Sequence, residues 1–123
     1  MTAFDPATVS VDSVQLELVL APLVHPVYEL TMSNAEKFAA FHAANPHVAD
    51  ALEALAAQKL AVRQKVGIAS LYERLRWEAD IQTIGDSYRL NNNHRAYYTR
   101  LLEERHPEWV GRIPKREQRD EAA

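Results

Sequence analysis

Between Ile68 and Ala79 the chain places Ile68, Leu71, Tyr72, Leu75 and Ala79 at helical spacing. That pattern puts all five on one side of an α-helix, and it suits neither a strand nor a loop. Glu73, Arg74 and Arg76 lie off the stripe. Trp77 is nine residues after Ile68, which at about 100° per residue sets it on the opposite side. Such a helix needs a core to face, so the chain must build a helical domain around it. Trp77 must then pack on another element or on a partner.

Three further helices can supply that core. Ser33 and Glu36 form a capping box, in which each side chain meets the other residue's amide. A helix over Asn34–Ala44 follows, with Phe38 and Phe41 on one face. Asn45 reads as the N-cap of the next helix and Pro46 as its first residue. That helix carries Val48, Leu52, Leu55 and Ala56 and is expected to reach about Arg63. Gln64, Lys65 and Gly67 make the connection to Ile68. The fourth helix opens within Asn91-Asn92-Asn93 and runs to about Arg105. Its inner face is read as His94, Tyr97, Tyr98, Leu101 and Leu102, and its outer face as Asn92, Arg95 and Thr99.

A minor β component is expected beside these helices. Val14, Leu16, Leu18 and Leu20 alternate with Gln15, Glu17 and Val19, as a half-buried strand does; a helix is the alternative. Val27–Met32 reads as a second short strand after Pro22 and Pro26. Residues 81–90 read as a hairpin around Gly85-Asp86, with a loop as the competing form. The expected architecture is therefore mainly α: a compact four-helix domain, helix-turn-helix or winged-helix-like. It divides into an N-terminal extended segment (1–32), a helical domain (33–110) and a charged tail (111–123).

Composition sets the outer bounds. A chain of 123 residues makes one domain. With no cysteine it can hold neither a disulfide nor a thiolate metal site. It has no apolar run long enough to span a membrane, and its first residues lack a secretory pattern. A cytoplasmic protein is the expectation. The net charge of −3 conceals a division, because residues 1–56 hold one cation and seven acids while residues 57–119 hold thirteen cations and eight acids. An uneven distribution of this kind suggests where an anionic partner sits.

Nothing in the sequence assembles a reaction. None of the glycine-rich phosphate loops, zinc helices or nucleophile elbows is present. Among the five histidines, His42 and His47 are five apart across a helix break, a spacing that does not aim two imidazoles at one metal. No catalytic residue, metal or cofactor is expected, and the chain is read as a non-enzyme.

The stretch Leu90–Arg100, LNNNHRAYYTR, carries the functional expectation. Asparagine bonds adenine edges, arginine bonds guanine edges and phosphates, and a helix start offers free amides. One asparagine is enough to cap a helix; three exceed that need, the other reading being that one caps and the remaining two are simply solvated. Asn92, Asn93, Arg95, Thr99 and Arg100 are the expected contacts to duplex DNA, with Arg89 and Lys65 on phosphates and Tyr88 as a further donor. The alternative is a protein-interaction module with no DNA binding, anchored by Trp77 and Trp109. A homodimer is compatible with either reading.

Phe38 and Phe41, Asn45-Pro46-His47, Gly67-Ile68, Leu71, Leu75-Arg76-Trp77-Glu78, Tyr88-Arg89-Leu90-Asn91-Asn92-Asn93 and Tyr98 through Leu101 together resemble a family of small proteins of bacteriophages and bacteria. The resemblance covers about residues 35–112. It implies a phage or mobile-element setting, with a host protein as partner in the second reading. It carries over no catalytic or binding residue.

Overall fold

A computed structural model describes residues 20–82 and 88–114. Four α-helices are present among them: α1 (Asn34–Ala44), α2 (Pro46–Leu60), α3 (Ile68–Gln82) and α4 (Arg95–Arg105). Short 3-10 turns at Asn92–His94 and Pro107–Trp109 precede and follow α4.

The central element is α2. It buries Val48, Ala49, Ala51, Leu52, Leu55, Ala56 and Leu60, so its apolar surface wraps more than one side. A helix with that distribution is enclosed by its neighbours, and α1, α3 and α4 all pack on it. The alanines let the other backbones approach closely. On α3 the buried residues are Ile68, Leu71, Tyr72, Leu75 and Ala79, the stripe expected from the sequence. Trp77 lies on the opposite side and is 54% exposed.

Helix ends follow local chemistry. At the start of α1 the Glu36 amide donates to Ser33 Oγ (3.1 Å) and the Ser33 amide donates to Glu36 Oε1 (2.8 Å), as the capping box requires. Asn45 departs from its expected role. It makes no side-chain cap to α2, because its side chain is spent on the segment before α1. Helix α2 stops at Leu60 and does not reach Arg63. Its carboxyl end is closed by Arg112, whose guanidinium donates to the carbonyls of Leu60 and Arg63 (3.0 Å each) and of Gln64 (2.9 Å). A cation on the last carbonyls satisfies orphan acceptors and complements the helix dipole. Arg112 reaches this position because Gly111, at φ 82°, reverses the chain after Trp109. Ile113 is buried beside it, so the first four residues of the segment read as a tail dock on the body.

No strand occurs among the described residues. The strand expected over 14–20 lies outside them except for Leu20, which is buried and donates its amide to Gln82 Oε1 (3.2 Å). Val27–Met32 is irregular and closes in a turn, with the Met32 amide bonded to the Glu29 carbonyl (3.1 Å). Val27 and Leu30 stand almost fully exposed, and no strand edge among the described residues offers pairing. The expected hairpin is not found where it can be seen. Ile81 and Gln82 are the last residues of α3, and Tyr88–Leu90 is irregular, with no strand assigned; its centre, 83–87, is outside the described residues. Alternation is nonetheless real there, since Tyr88 and Leu90 are buried and Arg89 is exposed. The buried pair faces the rest of the core, and Tyr88 bonds the N-terminal segment and α2 through its hydroxyl.

Candidate nucleic-acid interface

The seam between α3 and α4 begins at Tyr72. Its ring is buried, and its hydroxyl donates to the carbonyl of Asn91 (3.2 Å), which fixes the turn that opens α4. Burial pushes the phenol far above its ordinary range, while nearby Arg95 and Arg76 oppose this. The group is therefore a neutral donor at any physiological pH.

Asn91 is the asparagine that caps. Its Oδ1 accepts from the amide of Asn93 (2.8 Å), one of the orphan donors of the turn. Asn92 and Asn93 stand exposed beside it. The division agrees with the sequence: one asparagine is structural, and two are presented to solvent.

Two arginines converge on the ring of Tyr72. The Arg76 guanidinium carbon lies 5.7 Å from the ring centre and that of Arg95 lies 6.0 Å from it. They come from different helices. Glu73 pairs with Arg76 (2.8 Å), and among the described residues Arg95 has no carboxylate partner. Two guanidinium groups beside one neutral ring, opposed by one exposed carboxylate, leave a local positive potential that suits a phosphate.

The other expected contacts divide. Arg89 is exposed next to Asn91. Arg100 is exposed but stacks over Tyr97 (4.9 Å), farther round α4 from Arg95. Lys65 is exposed at the far end of the molecule. It follows the carboxyl end of α2, whereas Tyr88, beside Arg89, meets His47 at the amino end (3.0 Å). The 15 residues of α2 separate the two, a span of roughly 22 Å at 1.5 Å per residue.

Three expectations are corrected by burial. Thr99 is fully buried and cannot touch DNA. It falls one turn beyond Arg95 on the side of α4 that holds Tyr98 and Leu102, so the inner face is rotated from the one read in the sequence. Arg95 sits on that same side but in the opening turn, and its long chain reaches out over Tyr72. Tyr88 is buried, and its hydroxyl donates to the Ala21 carbonyl (2.6 Å), so it is no phosphate donor. Trp109 is buried against His106, with ring centres 3.8 Å apart, and offers no interface anchor. Arg76 was missed by sequence reasoning. It follows Tyr72 by one turn, but its meeting with Arg95 is set by the packing of α3 on α4 and not by spacing within α3.

At the carboxyl end of α4 a cluster of charged groups serves structure. Glu53 on α2 receives Arg105 and His106 (2.7 Å each). No group of acids and histidines suited to a metal ion is found among the described residues, and no helix there is long and apolar enough to cross a membrane.

The comparisons with known proteins give no relative: no family model, no curated protein and no solved structure matches the chain.

Proposed function

We propose that this chain binds duplex DNA through the α3–α4 seam, as an accessory or regulatory protein with no chemistry of its own. One observation carries the reading: Arg76 and Arg95 converge over Tyr72 beside the exposed pair Asn92-Asn93. The arginines hold phosphates, and the asparagines reach base edges from the opening turn of α4. Arg89 and Arg100 flank this surface, and Lys65 contributes little because it lies at the other end of α2. In this reading α3 and α4 take the places of the two helices of a helix-turn-helix. Their connection of twelve residues, 83–94, which includes the 3-10 turn, exceeds the roughly 3–4 of the plain motif. The phage or mobile-element setting implied by the family resemblance is compatible with such a role.

The test is fluorescence-anisotropy titration of a labelled duplex. Arg76→Ala/Arg95→Ala is expected to weaken binding at least tenfold with the fold intact. Equal binding by this variant, or no binding by the wild type at low salt, sinks the proposal.

A second reading is favoured by Trp77. With Ile81 one turn later it forms an exposed apolar patch on α3, where Arg74 stacks over the indole (4.9 Å) and pairs with Glu78 (3.1 Å). Aromatic residues rimmed by mixed charge suit a protein partner. Loss of a specific host-protein complex in Trp77→Ala, with DNA binding retained, would favour this reading over the first.

A further inference from the structure

At the end of the molecule where the N-terminal segment crosses α1, a cavity of about 350 Å3 is lined by His25, Tyr28, Phe41, Arg89, Leu90 and Asn91. Its walls are held by side-chain hydrogen bonds. Asn45, fully buried, bonds the Val24 amide and carbonyl at 2.7 Å each. Tyr88 reaches the Ala21 carbonyl from the facing segment. The two non-helical segments of the lining are thereby pinned beside Phe41 of α1, and the cavity is built before any ligand arrives.

The lining has a definite chemistry. Three of the six residues are rings: Phe41, Tyr28 and His25. Arg89 is an exposed cation with no carboxylate partner among the described residues, and Lys37 lies 5.9 Å from the centre of the Tyr28 ring. Asn91 has its Oδ1 committed to the Asn93 amide, which leaves its amide nitrogen to donate. None of the lining residues is acidic. Ring faces select a flat aromatic body, the guanidinium selects an attached anion, and a free amide donor selects an acceptor on the ring edge. The volume is at the small end of the range of about 300–1,000 Å3 for ligand pockets, enough for a base and its sugar.

We propose that this cavity binds a nucleotide, with the base against Tyr28 and Phe41 and the phosphate on Arg89. The same chemistry arises from a free mononucleotide or from an unpaired nucleotide of a strand lying on the adjacent turn at Asn91–Asn93. The strand source rests on the DNA-binding reading above; the cavity itself does not.

The experiment is a two-dimensional amide NMR titration of the full chain with deoxyadenosine monophosphate, deoxyadenosine, inorganic phosphate and a short single strand. The mononucleotide is expected to shift the amides of His25, Tyr28, Phe41 and Arg89–Asn91 to saturation. Tyr28→Ala should weaken it roughly tenfold, in line with the loss of one stacking ring. Arg89→Gln, at an exposed position, should reduce it to the level of deoxyadenosine. A single strand that shifts these residues more tightly than the mononucleotide identifies the strand as source; the reverse order identifies the free nucleotide. Equal shifts from inorganic phosphate alone, or no saturable shift with the mononucleotide, overturn the proposal. If a duplex binds through Arg76 and Arg95 while neither the mononucleotide nor the strand moves the cavity amides, the cavity proposal fails and the DNA-binding reading stands.

Discussion

Asn45 grips the backbone of Val24 from both sides: its Oδ1 accepts from the Val24 amide and its Nδ2 donates to the Val24 carbonyl, each at 2.7 Å. Nδ2 also donates to the Phe41 carbonyl (3.0 Å) at the end of α1. One buried amide thus joins the N-terminal segment to the corner between α1 and α2. Asn45→Ala removes three bonds, two to the partly buried backbone of Val24 and one to the buried Phe41 carbonyl. The expected loss is about 2–4 kcal/mol, measured by urea unfolding. Early proteolysis between Ala21 and Leu30 in the folded variant should accompany it. A loss below about 0.5 kcal/mol would show that the segment is not held by this residue.

Stability should pass through a maximum near pH 6.5. His106 is held above its ordinary 6.5 chiefly by its bond to Glu53, with Glu108 assisting. Its contribution is full below pH 6.5 and is lost as pH rises through the raised value. His94 and His42 are held below 6.5, first by burial and then by the cations Lys37 and Arg105 respectively. They stay neutral where the unfolded chain takes up protons, so stability present above pH 6.5 is lost as pH falls through their lowered values. Glu53 is held below its ordinary 4.5 mainly by its bond to His106, and it adds to the acid loss below that pH. Urea midpoints followed from about pH 5 to about pH 8.5 should show both limbs. His106→Gln should flatten the alkaline limb and, by releasing Glu53, reduce the loss below pH 4.5, while the loss due to His94 and His42 persists. An unchanged alkaline limb in that variant contradicts the assignment.

The two tryptophans should respond oppositely to truncation. Trp77 is 54% exposed and Trp109 5% exposed. Trp77→Ala should change stability by less than about 0.5 kcal/mol, as surface substitutions do. Trp109→Ala empties a packed site beneath His106 and should cost about 3–5 kcal/mol. Thermal melts of both variants check the contrast, and comparable losses would refute the burial pattern.

Tyr98 should tolerate loss of its hydroxyl. The ring is fully buried, in edge contact with Phe38 at 4.8 Å, but the hydroxyl has no hydrogen-bond partner among the described residues. A buried unsatisfied polar group costs about 1–3 kcal/mol. Tyr98→Phe is therefore expected to be neutral or stabilising by up to about 1 kcal/mol. A destabilisation above that in chemical unfolding would mean that the hydroxyl is satisfied.

Much of this architecture was legible in the residues. The α3 stripe, the α1 capping box and the exposed side of Trp77 are local consequences of spacing and cap chemistry, and the structure shows them as read. Interactions across the chain were not legible. Asn45 looked like an N-cap because its neighbours fit one, yet its side chain serves Val24, 21 positions away. Val27–Met32 had strand-like composition but no partner edge among the described residues. Thr99 looked solvent-facing because the aromatic residues of α4 leave its inner side ambiguous by one position. Arg76 joined Arg95 only through the packing of α3 on α4, which no spacing within either helix reports. The cavity is of the same kind, being lined by residues from three separated segments.

The salt dependence of duplex binding tests the central claim most directly. Each guanidinium that neutralises a phosphate contributes about −0.9 to the slope of log K against log salt. Measurable binding at low salt is expected, with a slope shallower by roughly 2 in Arg76→Ala/Arg95→Ala. A wild-type slope near zero, or the same slope in the double variant, would contradict that claim.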